Sequence, residues 1–152
     1  MSKAIDQERA ILILEALCER FGIAPDEFAG FVLYQGSKGK VYAHHELAPE
    51  LPGAAIVGLH IATVAKTVKP ATNFVQIFGE TFTRNVITVS TKTAKELISG
   101  METLLLDTIP ENVTNGYIAL ACDSQPFMCG LLKDGVVRSM LPKSRRRALE
   151  FI

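Results

Sequence analysis

Near its end the chain runs through three apolar stretches almost without a break: NGYIALACD, PFMCGLLKD and VVRSMLP. Asp134-Gly135 separates the second from the third, and this pair readily adopts the left-handed backbone of a two-residue hairpin turn. The first two stretches meet around Asp123-Ser124-Gln125-Pro126, a second run of turn formers. Strands joined by such short links must lie side by side and antiparallel, because a parallel return needs a crossover of a dozen residues or so. Residues 116–142 are therefore a β meander, and the rest of the chain has to fold around it.

Upstream, the pattern is mixed. Ile11, Leu14, Cys18 and Phe21, with Ala10, Ile13 and Leu17 beside them, recur at helical spacing. Gly22 is a natural stop for that helix, and Pro25 follows it. FAGFVLYQGSKGKVYAHHE reads as two strands joined by the loop Gly36-Ser37-Lys38-Gly39. Leu51-Pro52-Gly53 is a turn, and a strand runs from about Ile56 to Val64. Pro70 opens a short helix through Phe78, which Gly79 ends. NVITVS, residues 85–90, is a strand. TAKELISG is a helix, with Thr93 and Glu96 at capping-box spacing and Gly100 at its C-terminal cap. LLLDT is a short strand and PENVTNG a loop. This order predicts an α+β protein: a small N-terminal α/β domain over residues 1–65, then a mostly β half over residues 66–152 that curls into a small barrel.

With 152 residues, of which 48% are hydrophobic, the chain can bury a sizeable core. No apolar run approaches the roughly 20 residues that a membrane helix needs. The N-terminal apolar stretch is interrupted by Asp6, Glu8, Glu15 and Glu19, the pattern of an amphipathic helix and not of a signal peptide. A cytoplasmic protein with no membrane partner is expected. Net charge is zero, yet it is unevenly spread. Residues 133–152 hold six basic side chains against two acidic ones, and the remainder carries the compensating excess of four acidic charges. A basic end on an otherwise acidic chain points to a local contact with a polyanion.

Enzyme signatures are missing. There is no GxGxxG after a strand, no Walker loop and no HExxH. His44 and His45 are adjacent, so on a strand they point to opposite faces, and His60 is distant in sequence. Cys18, Cys122 and Cys129 form no CxxC pair, sit in apolar contexts and have no histidine near them in sequence. Free buried thiols are expected, with Cys122 and Cys129 able to face one another across a hairpin. No catalytic residue, metal or cofactor is expected, and an enzyme using Cys122 or Cys129 is the weakest of the readings. Basic side chains on a β scaffold remain. Lys133 and Arg138 flank the Asp134-Gly135 turn, Lys143, Arg145, Arg146 and Arg147 follow the last strand, and Lys69 extends the patch with Lys66 and Arg84. Arginine adds a planar fork suited to phosphate.

Three segments carry a family resemblance: GLHIATVAKTVKPATNFVQIFG, RNVITVSTKTAKELISG and NGYIALACDSQPFMCGLLKDGVVRSMLPKSRRR. In that order they resemble the C-terminal RNA-binding region of the Sun-family RNA 5-methylcytosine methyltransferases, itself similar to PUA domains. The matching positions are Gly58, Pro70, Gly100, Gly116-Tyr117, Gly130 with Lys133, and Pro142-Lys143. The turn PATNF and the Leu131-Leu132 insertion before Lys133 depart from the family pattern. The resemblance implies a PUA-like β pseudo-barrel without the methyltransferase domain, preceded by a companion domain. It also implies a non-enzymatic RNA-binding protein of rRNA or tRNA modification or ribosome assembly, whose partners are structured RNA and an RNA-modifying enzyme. The rival is an adaptor that docks on a separate RNA methyltransferase or ribosomal protein.

Overall fold

The computed structural model describes residues 3–45 and 58–141. Helix α1 (Gln7–Phe21) begins where the Asp6 carboxylate accepts the Glu8 amide at 3.0 Å, and ends at Gly22 in the left-handed conformation, φ 64°. Its buried stripe is Ile13, Leu17 and Phe21, with Leu14 and Cys18 half-buried beside it. The predicted face is thus rotated: Ile11 stays 47% exposed.

Strands β1 (Lys3–Ala4), β2 (Phe31–Gln35), β3 (Lys40–His45), β4 (Leu59–Val64) and β5 (Val68–Pro70) form an antiparallel sheet in chain order. Only the part of the predicted Ile56–Val64 strand from Leu59 onward lies in β4; residues 56–57 and the Leu51-Pro52-Gly53 turn fall outside the described residues. A bulge on β4 leaves Ile61 as the extra residue, because Val41 pairs with Ala62 while Tyr42 pairs with His60. Pro70 closes β5 instead of opening a helix. Helix α2 (Thr72–Phe78) starts two residues later and runs into a 3-10 turn over Gly79–Thr81.

The second sheet contains β6 (Val86–Thr88), β7 (Thr103–Leu105), β8 (Gly116–Cys122), β9 (Gln125–Lys133) and β10 (Val136–Ser139) in the order β6-β8-β9-β10-β7. Among the described strands only β6 and β8 pair in parallel, and helix α3 (Thr91–Ser99) lies in the connection between them. The helix cap is Ser90, whose Oγ accepts the Thr93 amide at 3.1 Å. Thr93 therefore sits inside α3, and the expected Thr93/Glu96 box does not form. Both expected hairpins are present. Asp123 and Ser124 turn with φ 50° and 65°, Asp134 and Gly135 with 49° and 83°.

The β8–β9 ribbon is a wall shared by two cores. Alternation along β8 sends Ala119 into the first, with Leu17, Phe21, Phe74 and Ile61, and sends Ile118 and Leu120 into the second, with Leu97 and Val137. On β9, Cys129 faces the first core while Met128 and Leu132 face the second. Cys122 is opposite Gln125 and Cys129 is opposite Ala119, so the two thiols do not face one another as expected. Six phenylalanines tie α1, β2 and α2 together. Phe21 stacks on Phe82 at 4.4 Å, and Phe74 and Phe78 lie within 6.2 Å of Phe21, Phe28 or Phe31. The molecule is an N-terminal α/β unit followed by a curled, half-barrel sheet.

Candidate nucleic-acid interface

Residues opposite one another on neighbouring strands share a face of the sheet. In the first sheet the core face carries Leu33, Val41, Ala43 and Ala62. The opposite face is fixed by register: Tyr34 pairs with Tyr42, Tyr42 with His60, Lys40 with Thr63, and Thr63 with Lys69. Lys40 and Lys69 therefore stand in one row across three strands, beside a row of rings.

Two turns meet at the lysine end of this sheet. The β2–β3 turn over Ser37–Gly39 carries Lys38, and the β4–β5 turn, closed by the Ala65 amide on the Thr67 carbonyl at 3.1 Å, carries Lys66. They touch, since a Cβ on Gly39 would collide with the Val64 carbonyl. Gly39 has φ 77°, so the turn can come this close only because the residue has no side chain. Lys38, Lys40 and Lys66 are exposed and Lys69 half-buried. None of the five strands contains an acidic residue. Among the described residues the acids of this half are Asp6, which caps α1, and Glu8, Glu15, Glu19, Asp26 and Glu27 on α1 and the 3-10 turn after it. The result is a rim of four lysines with no carboxylate on its own sheet.

Lys133 and Arg138 occupy the second sheet. Both are exposed and share the face opposite Leu132 and Val137, because Lys133 pairs with Val136 and Arg138 with Leu131. The turn between them is held by Asn115, which donates to the Asp134 carboxylate and accepts the Asp134 amide, each at 3.1 Å. The structure thus groups Lys69 with Lys38, Lys40 and Lys66, and groups Lys133 with Arg138. Lys143, Arg145, Arg146 and Arg147 lie outside the described residues.

Arg84 does not extend the patch. Its guanidinium donates to the Glu19 carbonyl at the end of α1. Arg20 is tied in the same way, through Nε to the Tyr117 carbonyl at 2.6 Å and through the Nη atoms to the Thr114 hydroxyl and carbonyl at 2.7 Å. Both line a groove of about 580 Å³ with Asn85, Glu111 and Asn112. Burial chiefly, with Arg84 beside it, lowers the Arg20 pKa from its ordinary value. These arginines fasten the two halves together, with their donors on backbone carbonyls and the Thr114 hydroxyl.

The thiols have no catalytic surroundings among the described residues. Burial pushes the Cys129 thiol up to about 12, against the opposing pull of Lys69 and Arg20, so it stays protonated. The polar partner of Cys122 is the Thr91 hydroxyl at 3.7 Å. No group of three His, Cys, Asp or Glu among the described residues is placed to hold a metal ion. His44 and His45 do diverge, His44 lying opposite Val32 and His45 meeting Phe31 edge-on at 5.1 Å.

Lys38 and Lys40 are the residues the sequence-based patch left out. Their signal was present, since residues 28–45 and 58–79 hold no Asp or Glu in a chain with sixteen acidic residues. Their meeting with Lys66 and Lys69, however, depends on the β3–β4 pairing across a connection of more than a dozen residues.

No protein-family model matches the chain, and no curated protein matches it. Solved structures do. A PUA domain from Aeropyrum pernix K1, determined as a tartrate complex, superposes with a TM-score of 0.57 at 18% identity, over 97% of this chain and 79% of that one. A hypothetical protein from the hyperthermophilic archaeon Pyrococcus horikoshii OT3 superposes with a TM-score of 0.56 at 11% identity, over 97% and 87%. The fold is PUA-like.

Proposed function

We propose that this chain is a non-enzymatic RNA-binding protein of the cytoplasm, acting on rRNA or tRNA in modification or in ribosome assembly. The observation that carries the proposal is the rim of Lys38, Lys40, Lys66 and Lys69 on a sheet without acids, in a molecule of PUA-like fold. Several fixed cations with no competing carboxylate attract phosphates and release their counterions. Lys133 and Arg138 add a second basic face, and Lys143, Arg145, Arg146 and Arg147 follow it in the chain. The three segments that resemble the Sun-family methyltransferases favour a role beside an RNA-modifying enzyme. On this proposal residues 1–65 form most of the companion unit and residues 66–152 the PUA-like one, with β5 and α2 of the second span completing the first sheet and its core.

The test is fluorescence anisotropy of labelled tRNA and rRNA hairpins over a salt series. Three variants are compared with the wild type: alanine at the four rim lysines, at Lys133 with Arg138, and at Lys143 with Arg145, Arg146 and Arg147. Removing one cation from a phosphate should flatten the slope of log K against log salt by about 0.7 to 0.9. Negligible RNA binding by the wild type near 50 mM salt would refute the proposal and leave the adaptor alternative, which requires a protein partner instead.

A further inference from the structure

The row of rings next to the lysines has no part in the packing of the first core. Tyr34, Tyr42 and His60 lie side by side on the outer face of β2, β3 and β4, all half-buried. Neighbouring strands are about 4.8 Å apart, so the three residues stand next to one another on one face, with the rings of Tyr42 and His60 in contact. Tyr42 is held from both sides. Its ring lies 5.4 Å from that of His60, and a Cβ on Gly36 would come within 2.7 Å of it. His60 is fixed in turn by the Thr63 hydroxyl at 3.2 Å. The next row, two residues along, is Lys40, Thr63 and Lys69.

We infer that this face binds an unpaired segment of RNA, with bases stacked on Tyr42, Tyr34 and His60 and phosphates on Lys40 and Lys69. The inference rests on the RNA-binding function proposed above and names the form of RNA that the first sheet takes. Charge complementarity selects the occupant: among the described residues the face offers cations and rings with no carboxylate, and Val32 is the one exposed large apolar side chain on it. An apolar partner surface would find little to bury. A duplex hides its base faces, whereas single strands expose them for stacking on aromatic side chains. Burial first, then the charges of Lys40 and Lys69, lowers the His60 pKa, so the imidazole is neutral at pH 7 and presents an uncharged ring.

The chain has three tyrosines and no tryptophan, so its intrinsic emission reports on this face directly. Tyr34 and Tyr42 lie on it, while Tyr117 packs against the first core. Tyrosine emission is titrated with a ten-nucleotide single-stranded RNA and with a duplex of the same sequence. The single strand should quench the wild type and the duplex should not. Tyr42→Ala should lose about tenfold in single-strand affinity, and Tyr42→Phe should retain it. Both should keep the wild-type salt slope, which the four-lysine variant flattens. RNA binding that leaves the emission unquenched, or that Tyr42→Ala does not weaken, overturns the stacking inference while the RNA-binding proposal stands. Failure of the wild type to bind either RNA overturns both.

Discussion

Replacing Asn85 tests how the two halves are fastened. Asn85 is only 3% exposed and sits at φ 59°, a conformation asparagine tolerates and alanine resists. Its backbone donates to the Asn112 carbonyl and accepts from the Ala119 amide, both at 2.9 Å. Its side-chain amide donates to the Arg20 carbonyl at the end of α1, and its Oδ1 accepts the Thr114 amide at 2.9 Å. Asn85→Ala removes both side-chain bonds and leaves two partly buried backbone groups unpaired, at about 1 kcal/mol or somewhat more each. Holding alanine in the left-handed region adds about 1 kcal/mol. The expected loss is about 3 kcal/mol in urea unfolding followed by far-UV circular dichroism. Asn85→Gly relieves the backbone and should lose about 1 kcal/mol less. An alanine variant within about 0.5 kcal/mol of wild type, or a glycine variant less stable than alanine, would refute the clamp.

Two further outcomes concern titrating groups. At pH 8 a thiol reagent should modify the half-buried Cys122 first and Cys18 more slowly, because burial and then Glu15 raise the Cys18 pKa. Cys129, pushed up to about 12, should react only on unfolding, as mass spectrometry of labelled peptides will show; early labelling of Cys129 would contradict its burial. For His60 the folded pKa is lowered, so the unfolded chain takes up the proton first. Its contribution to stability is therefore complete above the unfolded value of about 6.5 and declines as pH falls through the window down to the folded pKa. Urea midpoints measured across that window should show a slope that His60→Asn reduces; an identical slope in both proteins would exclude His60 as its source.

The parts of the fold that could be read from sequence are those specified locally. Asp134-Gly135 makes its turn because two adjacent residues accept positive φ, and no distant contact is needed. Gly22 stops α1 for the same local reason. The errors fall where tertiary structure decides between near-equivalent choices. Ile11 and Ile13 both suit a helical stripe, and the one that meets the sheet is settled by how α1 docks. Ser90 and Thr93 are both competent caps, and β6 ending at Thr88 leaves room for the earlier one. Pro70 lacks an amide hydrogen, which suits an edge strand as well as a first helical turn. As for the interface, Lys69 was legible as part of a basic cluster. Its partners Lys38 and Lys40 lie some thirty residues upstream, and the Gly39–Val64 contact that joins their turns is long-range.

A chain without net charge can hold a polyanion only if its charges are kept apart, and the first sheet does this with its two faces. Helix α1, which carries Glu8, Glu15 and Glu19, packs its apolar stripe against the inner face, while the lysines and rings occupy the outer one. Glu8, Glu15 and Glu19 are therefore on the far side of the sheet from the rim, and salt screens what remains of their pull. A phosphate arriving at Lys40 and Lys69 meets the local excess of positive charge and not the molecular average. Over longer distances the neutral whole exerts little pull, so steering is weak and encounter rates should stay near those of uncharged partners. Affinity then has to come from contacts made at close range. Rings preset by Gly36 and Thr63 beside fixed lysines supply such contacts, with less side-chain entropy to lose on binding than free surface groups would have.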